Sequence, residues 1–545
     1  MFKSDKFNLK TVMLLLVISF VLNPHYVASK EFEPVYKPTL KTSKITASIK
    51  IDGLLDEEVW KTLMKADNFV ERYPGDNLEP EVKTYAYITY DDDNLYIGFK
   101  CFDDPAKIRA TMCERDQFWN DDAVAVLIDT YANAAWAYEF YVNPYGVQKD
   151  ILWSSVTGED SGYDLIWESA AKITSDGYEV EMAIPFSSMR FPSKDVQEWK
   201  VDFWRNHPRE TFKTYSWSAN NRDEQCFPCQ WGTVEGISEV SPSKGLEILP
   251  TIVASQSGEI DYSSSDLNLK NDKLNSQLSL GAKYSLTDDV TLEAAYNPDF
   301  SQIEADAAQI DVNTTIALFF PERRPFFQEG RDIFQTLFNS FYTRTVNNPE
   351  YAAKLISRKE KTRIGFLTAK DETSPYTIPL EEGTIIFDIG PSYINVLRGT
   401  HNIGGNNEIG IMLSDRRFEN GGSGSILAFD HSLRLSTKFT LIGQYVLSHT
   451  KEPDKLGKTA FLDGVSYDHG KFDLGFNGES YYGNAFITQF RGNGRNYHFT
   501  FNIDQVSPSY RTQAGFDPVN NDRNFMFNGS YTFRFPETSF LERIS

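Results

Sequence analysis

The sequence predicts an all-β chain in two parts, an N-terminal antiparallel β-sandwich followed by a transmembrane β-barrel. Three observations predict it. Short strand patterns broken by turns run from Tyr85 to Trp217. From Gln277 onward the patterns lengthen, with apolar residues on one face and Ser, Thr, Asn, Gln or Gly on the other. Aromatic residues make up 14% of the chain, and such side chains fit a pleated, half-buried surface.

At 545 residues the chain exceeds one ordinary domain. Its net charge of -22 argues against a nucleic-acid partner, because a phosphate backbone needs a basic face. The acidity fits an exported protein kept soluble by charge, or clustered Asp that bind a cation.

The N-terminus has export logic. Lys3, Lys6 and Lys10 precede the apolar run Val12 to Leu22, and the small residues Ala28 and Ser29 follow. That is the pattern of a signal peptide over residues 1–29, with an extension over 30–43. No Cys follows the run, so a lipid anchor is not expected. No later segment reaches the ~18 apolar residues of a spanning helix, so a membrane role requires a barrel. The four cysteines, Cys101, Cys113, Cys226 and Cys229, are candidates for disulfides in an exported protein. The simplest pairing joins Cys101 to Cys113 and Cys226 to Cys229. A four-thiolate zinc site is the rival reading.

Residues 44–240 read as the sandwich. Tyr85 to Tyr90 alternates, Asp91 to Asn94 turns, and Leu95 to Cys101 resumes, which is a hairpin signature. Strands are expected at Ala123–Asp129, Ala137–Asn143, Tyr178–Ile184, Lys200–Asn206 and Thr214–Trp217. Many short strands at this spacing indicate an antiparallel sandwich.

The run Ile51-Asp-Gly-Leu-Leu-Asp-Glu-Glu-Val-Trp60 resembles the opening of family 9 carbohydrate-binding modules. The resemblance continues through Asp93 to Tyr96, Trp119 to Asp122, Val126 to Asp129, Tyr178 to Glu181 and Trp217, and covers residues 44–237. It implies the module's fold and a site where sugar stacks between two tryptophans while polar groups grip its hydroxyls. Trp119 falls at the first stacking position. Ala125 stands where the family carries Glu, and Tyr141 where it carries Arg. The stretch 220–229 holds no Trp for the second stack. The ligand-binding candidates are therefore Trp119, Tyr141 and Trp136. Trp153 and Trp231 are alternative platform residues, and core packing is the competing reading for Trp136, Trp153 and Trp231. The resemblance also implies a possible Ca2+ cofactor, for which Asp121, Asp122 and Asp129 are candidate oxygen ligands. Asp91 to Asp93 read as a solvated turn or a second calcium group. His207 has no partner in sequence and reads as structural.

Ser241 to Gly245 reads as a linker, and residues 246–545 as the barrel. Leu278, Leu280, Ala282, Tyr284 and Leu286 face one way, and Val290, Leu292, Ala294 and Tyr296 continue that face. Phe439, Leu441, Tyr445 and Leu447 oppose Thr440, Gln444 and Ser448. Phe472, Leu474 and Phe476 repeat the pattern, as do Tyr497 to Ile503 and Phe525 to Phe535. Such strands, about a dozen in all, mark an outer-membrane barrel with a lipid-facing exterior and a wet lumen. A second large sandwich is the soluble alternative.

This half is similar to the barrel region, of unassigned function, that follows such modules in many Bacteroidetes outer-membrane proteins. The resemblance rests on Asn297 to Asp306, Phe319 to Gly330, the strand pair around Ala353 to Ser357 and Ile364 to Thr368, and Ala514 to Phe516. Some of those proteins are labelled membrane-associated hydrolases. The chain ends at Ser545 just after a strand, without the terminal aromatic usual in such barrels, so a truncated barrel is expected.

Between the first barrel strands and the rest lies 297–331, acidic at first and then aromatic, with Phe319-Phe320 and Phe326-Phe327 flanking Glu322, Arg323 and Arg324. It is expected to fold into or rim the lumen. Glu322, Arg323, Arg324, Glu329 and Arg331 would pair there as a polar network.

Three functions compete. The first is capture of polysaccharide or oligosaccharide, in carbohydrate catabolism at the cell envelope, by a module on an outer-membrane barrel in contact with lipid. The second is a glycoside hydrolase, whose two carboxylates would come from Glu304, Asp306, Glu322 and Glu329, with Asp299 as a further candidate. The arginines near Glu322 and Glu329 would make both poor general acids. The third is a pore or transporter with an internal plug. Binding is the reading preferred. Which face of the membrane carries the module is open, periplasmic or surface-exposed.

Overall fold

The computed structural model of the chain describes residues 32–241, 245–261, 268–287, 289–298, 317–320, 322–359, 361–404, 407–462, 464–535 and 543–545. The expected signal peptide lies outside them.

The sandwich is built from β1 (Thr39–Lys41), β2 (Val70–Tyr73), β3 (Thr84–Tyr90), β4 (Asn94–Phe102), β5 (Ala123–Asp129), β6 (Trp136–Val142) and β7 (Gln148–Ser154). It continues with β8 (Gly158–Asp160), β9 (Glu168–Thr174), β10 (Gly177–Pro185), β11 (Val196–Pro208), β12 (Phe212–Ser216) and β13 (Gly232–Ser238). Nine strands form one sheet along the path β1-β13-β11-β5-β6-β7-β8, with β12 and β2 branching from β11. The opposing sheet runs β3-β4-β10-β9. Strand alternation decides what lies between them. In β6, Trp136, Tyr138, Phe140 and Val142 point into the core, and Ala137, Glu139 and Tyr141 point the other way. Val124, Val126, Ile128, Phe99, Trp199 and Phe203 fill the same core. Each such large apolar side chain contributes roughly 1.5–3 kcal/mol on burial.

The second half contains β14 (Leu246–Ser255), β15 (Gly258–Asp261), β16 (Asn268–Asn271), β17 (Asn275–Thr287), β18 (Val290–Tyr296), β19 (Pro349–Lys359) and β20 (Thr362–Asp371). Then come β21 (Pro375–Pro379), β22 (Thr384–Asp388), β23 (Ser392–Gly404), β24 (Asn407–Phe418), β25 (Ser423–Arg434), β26 (Phe439–Lys451), β27 (Ser466–Tyr467) and β28 (Phe472–Asp473). The last are β29 (Ser480–Gly494), β30 (Tyr497–Val506), β31 (Asp522–Tyr531), β32 (Phe533–Arg534) and β33 (Arg543–Ile544). Twelve of them form one sheet in the order β14-β17-β18-β19-β20-β23-β24-β25-β26-β29-β30-β31. Among the described residues β14 and β31 pair on one side only, so this barrel wall is not closed.

The wall's two faces differ as the alternation requires. Leu278, Leu280, Tyr284, Leu286, Tyr445, Leu447 and Phe501 are exposed, whereas Ser279, Gln444 and Ser448 are buried on the other side. A groove of about 470 Å³ on the outer face is lined by Phe366, Leu397, Leu413, Leu427, Leu447 and Tyr482. One expectation needs correcting. Leu474 and Phe476 do not belong to the wall, because they are buried with Tyr376, Ile378 and Phe418 in a satellite cluster beside it.

The interior is occupied by residues 322–346, which run in and out of the wall. Arg324 donates to the carbonyls of Thr343 and Val346. Further in, Arg398 of β23 reaches the carbonyl of Ile333, and Gln444 of β26 accepts from the Phe338 amide. On the return, Arg416 of β24 donates to the carbonyl of Thr345. Gly330 turns the segment with a left-handed φ of 73°, and a Cβ there would meet the Ile356 side chain at 2.6 Å. Glycine is the residue that takes both demands.

The wall's ends are unequal. At one end the strands are joined by residues 288–289, 360–361, 405–406, 435–438 and 495–496. At the other end the links are 256–274, 297–348, 372–391, 452–479 and 507–521, with one short turn, 419–422. The sandwich sits on the short-turn end. Gln225 donates its backbone amide to the Thr437 carbonyl and accepts from the Thr440 hydroxyl, Glu224 pairs with Arg434, and Asp76 pairs with Arg495.

Candidate functional site

The site is read on the face of the nine-stranded sheet that looks away from the sandwich core. Register places Trp204, Ala125, Tyr141 and Lys149 in one row across β11, β5, β6 and β7. The next row is Asp202, Leu127, Glu139 and Ile151. Phe118, Phe227 and Trp231 roof the middle of these rows, and Phe227 rests against Trp153, Trp204 and Trp231. The Cys226–Cys229 disulfide closes the loop that carries Phe227.

At the β7 end of the row stands Trp119, 61% exposed. The Lys149 ammonium lies over its ring at 3.2 Å from the centroid and 5.8 Å from that of Tyr141. Tyr141 is buried and donates its hydroxyl to Glu139 at 3.0 Å. Burial, reinforced by repulsion from Glu159, pushes the Glu139 carboxyl up to about 8. Burial pulls the Lys149 ammonium down. At the β11 end, Arg72 stacks over Trp204 and Phe227, at 4.7 and 5.0 Å. Two buried atoms on this face, Glu139 Oε1 and Trp231 Nε1, have no hydrogen-bond partner among the described residues. An exposed ring bordered by charged and incompletely bonded groups can stack the apolar face of a ring ligand and bond its polar edge.

The remaining candidates divide. Trp136 is not a platform: it is 3% exposed in the sandwich core, against Tyr131 and Tyr138, because it shares the inward phase of β6. Trp231 is likewise buried, and Trp153 is half-buried. Cys101 and Cys113 are not bonded to each other, as Cys101 lies in the core and Cys113 beneath the roof of the opposite face.

The three proposed calcium ligands do not converge. Asp121 and Asp129 lie at opposite ends of β5, roughly 20 Å apart. Asp121 accepts from Thr111 and Asn143, and Asp129 from the amides of Tyr131 and Ala134. Asp122 pairs with Arg209 at 2.7 Å. Asp103 and His207 approach Asp122, but Arg205 and Arg209 already neutralise Asp103, each at 2.6 Å. This donor set fits an ion-pair cluster rather than calcium. It gives His207 a partner, Asp103 at 3.1 Å, which sequence could not supply.

Among the proposed catalytic carboxylates, Glu304 and Asp306 lie outside the described residues, as does Asp299. Glu322 is buried and pairs with Arg324 at 2.7 Å. Burial alone would raise its carboxyl, but the bonds from Arg324 hold it below its usual value. Glu329 pairs with Arg190 at 2.6 Å and with Lys283. Against burial, Arg190, Lys283 and Lys354 hold it well below the carboxylate range. Arg331 pairs with Asp160 at 3.4 Å. The expected single lumen network is therefore split: Glu322 and Arg324 bond each other, whereas Glu329 and Arg331 reach across to the sandwich. Arg323 donates its amide to Glu322.

A cavity of about 230 Å³ lies at that junction, lined by Glu159 and Asp160 of the sandwich and Glu329, Arg331, Gln335 and Tyr342 of the inner segment. Sequence reasoning missed Arg72, Glu139, Lys149 and Arg190. For Glu139 and Lys149 the signal was present, since strand alternation puts both on the face of Tyr141 and Trp153.

Residues 51–235 match the family model described as carbohydrate family 9 binding domain-like. Residues 260–365 match a domain of unknown function, DUF5916. No curated protein matches the chain. Among solved structures, a carbohydrate binding module family 9 from Caldicellulosiruptor kristjanssonii, in complex with cellotriose, is similar over 37% of this chain and 95% of its own, at 16% identity and a TM-score of 0.26. OmpT, an outer membrane protein of Vibrio cholerae, is similar over 75% of this chain and 95% of its own, at 8% identity and a TM-score of 0.25. The outer membrane protein opdK of Pseudomonas aeruginosa is similar over 72% of this chain and 67% of its own, at 8% identity and a TM-score of 0.22.

Proposed function

We propose that this chain is exported by residues 1–29, spans the outer membrane as a β-barrel, and captures glycan on its N-terminal sandwich for carbohydrate uptake or breakdown at the envelope. The observation that carries the glycan reading is Trp119, exposed on the sheet face and touched by Lys149, which leads on to Tyr141 and its partner Glu139. The match of residues 51–235 to a carbohydrate-binding family supports it. The membrane reading is supported by the wall's apolar exterior and polar interior, an alternation that lipid outside and water inside require. No described helix is long and apolar enough to cross a membrane. The test is retention of the detergent-solubilised full chain on insoluble polysaccharides. Trp119→Ala is expected to lower retention about tenfold, a stack of roughly 1.4 kcal/mol. Retention unchanged by that substitution would remove the site.

The sandwich belongs on the periplasmic side. Outer-membrane barrels keep short turns there and long loops outside, and the sandwich meets the short-turn end. A single cysteine introduced at Lys107, in a Cys113→Ser background, is expected to stay unlabelled by a membrane-impermeant maleimide in intact cells and to label after permeabilisation. A cysteine at Lys471, in the long link 452–479, is expected to label in both. Labelling of position 107 in intact cells would reverse the assignment.

A second reading, a plugged pore or transporter, is favoured by residues 322–346 inside the wall. Hydrolysis is less well served, because Glu322 and Glu329 are held ionised and a general acid must carry a proton at working pH.

A further inference from the structure

We infer that the glycan held on the Trp119 face is acidic, carrying carboxylate or sulfate groups that Lys149 and Arg72 bind. The inference rests on the glycan-capture reading and names the class of glycan. Its starting point is charge. The chain carries a net charge of -22, so acceptors for a cation are plentiful. Nonetheless, among the described residues no oxygen accepts a hydrogen bond from the Lys149 ammonium, although the residue is 6% exposed. Its contacts are the rings of Trp119 and Tyr141. Arg72, too, has ring faces and no carboxylate partner among the described residues.

A desolvated cation without an anion is costly, and folded proteins pair or bond nearly all of theirs. Elsewhere Arg205, Arg209, Arg324 and Arg358 each hold a carboxylate at 2.8 Å or less, while the buried Arg511 lies over the rings of Tyr467 and Tyr481 inside the second half. Lys149 and Arg72, unlike Arg511, stand together on one face that reaches the surface at Trp119, at the two ends of the row Trp204–Ala125–Tyr141–Lys149. Three strand spacings separate the ends, roughly 14 Å, a span that takes an oligomer rather than one ring. Among the described residues the local anions form no ion pair with them. The Glu139 carboxyl, pushed up to about 8, is mostly protonated at neutral pH. Asp202 attracts Arg72 through space but forms no ion pair with it, its oxygens being taken by Trp204 Nε1 and the Ser218 amide. Glu159 and Asp116 act on Lys149 at longer range, without an ion pair. An acidic sugar unit that takes the Trp119 face would displace the Lys149 ammonium from the ring to its edge and give it the anion it lacks. Arg72 presents a planar fork, which suits a second carboxylate or sulfate.

The experiment measures binding of the full chain in detergent micelles to immobilised polygalacturonate, dextran sulfate and neutral dextran, at low and high salt. Polygalacturonate or dextran sulfate is expected to bind at least tenfold tighter than dextran, and the better of the two tells carboxylate from sulfate. Salt is expected to weaken that binding, since the contacts are charged and partly exposed. Lys149→Met and Arg72→Gln are each expected to lower it about tenfold, and Lys149→Arg to retain most of it. Tryptophan fluorescence on urea titration checks that each variant is folded. Equal binding of neutral dextran, insensitive to salt and to Lys149→Met, would overturn the acidic class and leave glycan capture standing. No retention on these or on neutral insoluble polysaccharides would overturn both.

Discussion

Arg358→Leu is expected to destabilise the barrel by about 3–5 kcal/mol, the cost of removing one partner of a buried ion pair. Arg358 points inward from β19 and is 7% exposed. Its guanidinium holds both oxygens of Asp332, at 2.8 and 2.6 Å. Asp332 belongs to the inner segment and is equally shut away, with its nearest other cation, Arg363, at 3.6 Å. Leucine would leave that carboxylate facing an apolar side chain. Arg358 also lies over the ring of Trp136 at 5.2 Å, so the loss extends to the sandwich. Removing both charges is a different matter, because the surviving group is what carries the penalty. Arg358→Leu combined with Asp332→Leu is expected to recover most of the loss. Urea titration of the detergent-folded protein measures all three variants. A single variant within about 1 kcal/mol of the parent would show that Asp332 is not isolated by the substitution.

What sequence reveals of this chain follows from the range over which each feature is determined. Strand alternation is local. Leu278, Leu280, Tyr284 and Leu286 could be assigned to one face from their spacing alone, and they are exposed on the wall's exterior. The same rule contains the correction for Trp136, which shares its phase with Tyr138, Phe140 and Val142. It also places Glu139 and Lys149 on the face of Tyr141. Alternation fails where two environments produce one pattern. Phe472, Leu474 and Phe476 alternate like a wall strand, but Leu474 and Phe476 are buried against Tyr376 and Phe418 in a satellite cluster. Nothing in a periodic pattern distinguishes lipid from a neighbouring hairpin. Ion pairs are further from reach. Glu322 and Arg324 are two residues apart and were expected to pair, as they do. Glu329 and Arg190 are 139 residues apart, and the pairing exists only because the sandwich docks on the inner segment. Pairing of the cysteines shows the same contrast. The two of the short spacing, Cys226 and Cys229, are bonded, whereas Cys101 and Cys113 lie on opposite faces of the nine-stranded sheet.

Glu329→Gln is expected to uncouple the sandwich from the barrel, at a cost of about 3 kcal/mol in docking stability. Glu329 joins three bodies: Arg190 from the sandwich at 2.6 Å, Lys283 from β17, and its own inner segment, whose carbonyl at this position accepts from Lys354 at 2.9 Å. Lys354 keeps a second partner, Glu293 at 2.7 Å, so the substitution strands chiefly Arg190 and Lys283. Around this hub Gln328 donates to the Gly162 carbonyl and Gln335 to Asp160 at 2.8 Å, and these weaker bonds do not replace it. Without the charge the sandwich is expected to unfold in a separate step ahead of the barrel, and trypsin to cut between them, near Lys244, before either part is digested. A single transition coincident with the parent's would contradict the hub. The sign with pH follows from the same geometry. The cations hold the Glu329 carboxyl below its unfolded value, so its contribution is complete above the ordinary carboxylate range, near pH 4–5, and declines as pH falls toward the depressed value. Acidifying the parent from pH 7 to pH 5 is therefore expected to leave this contact intact. Release of the sandwich by that change would mean that Glu329 is not ionised against Arg190 and Lys283, and the junction would then have to be held from the rim, by Glu224 with Arg434 and Asp76 with Arg495.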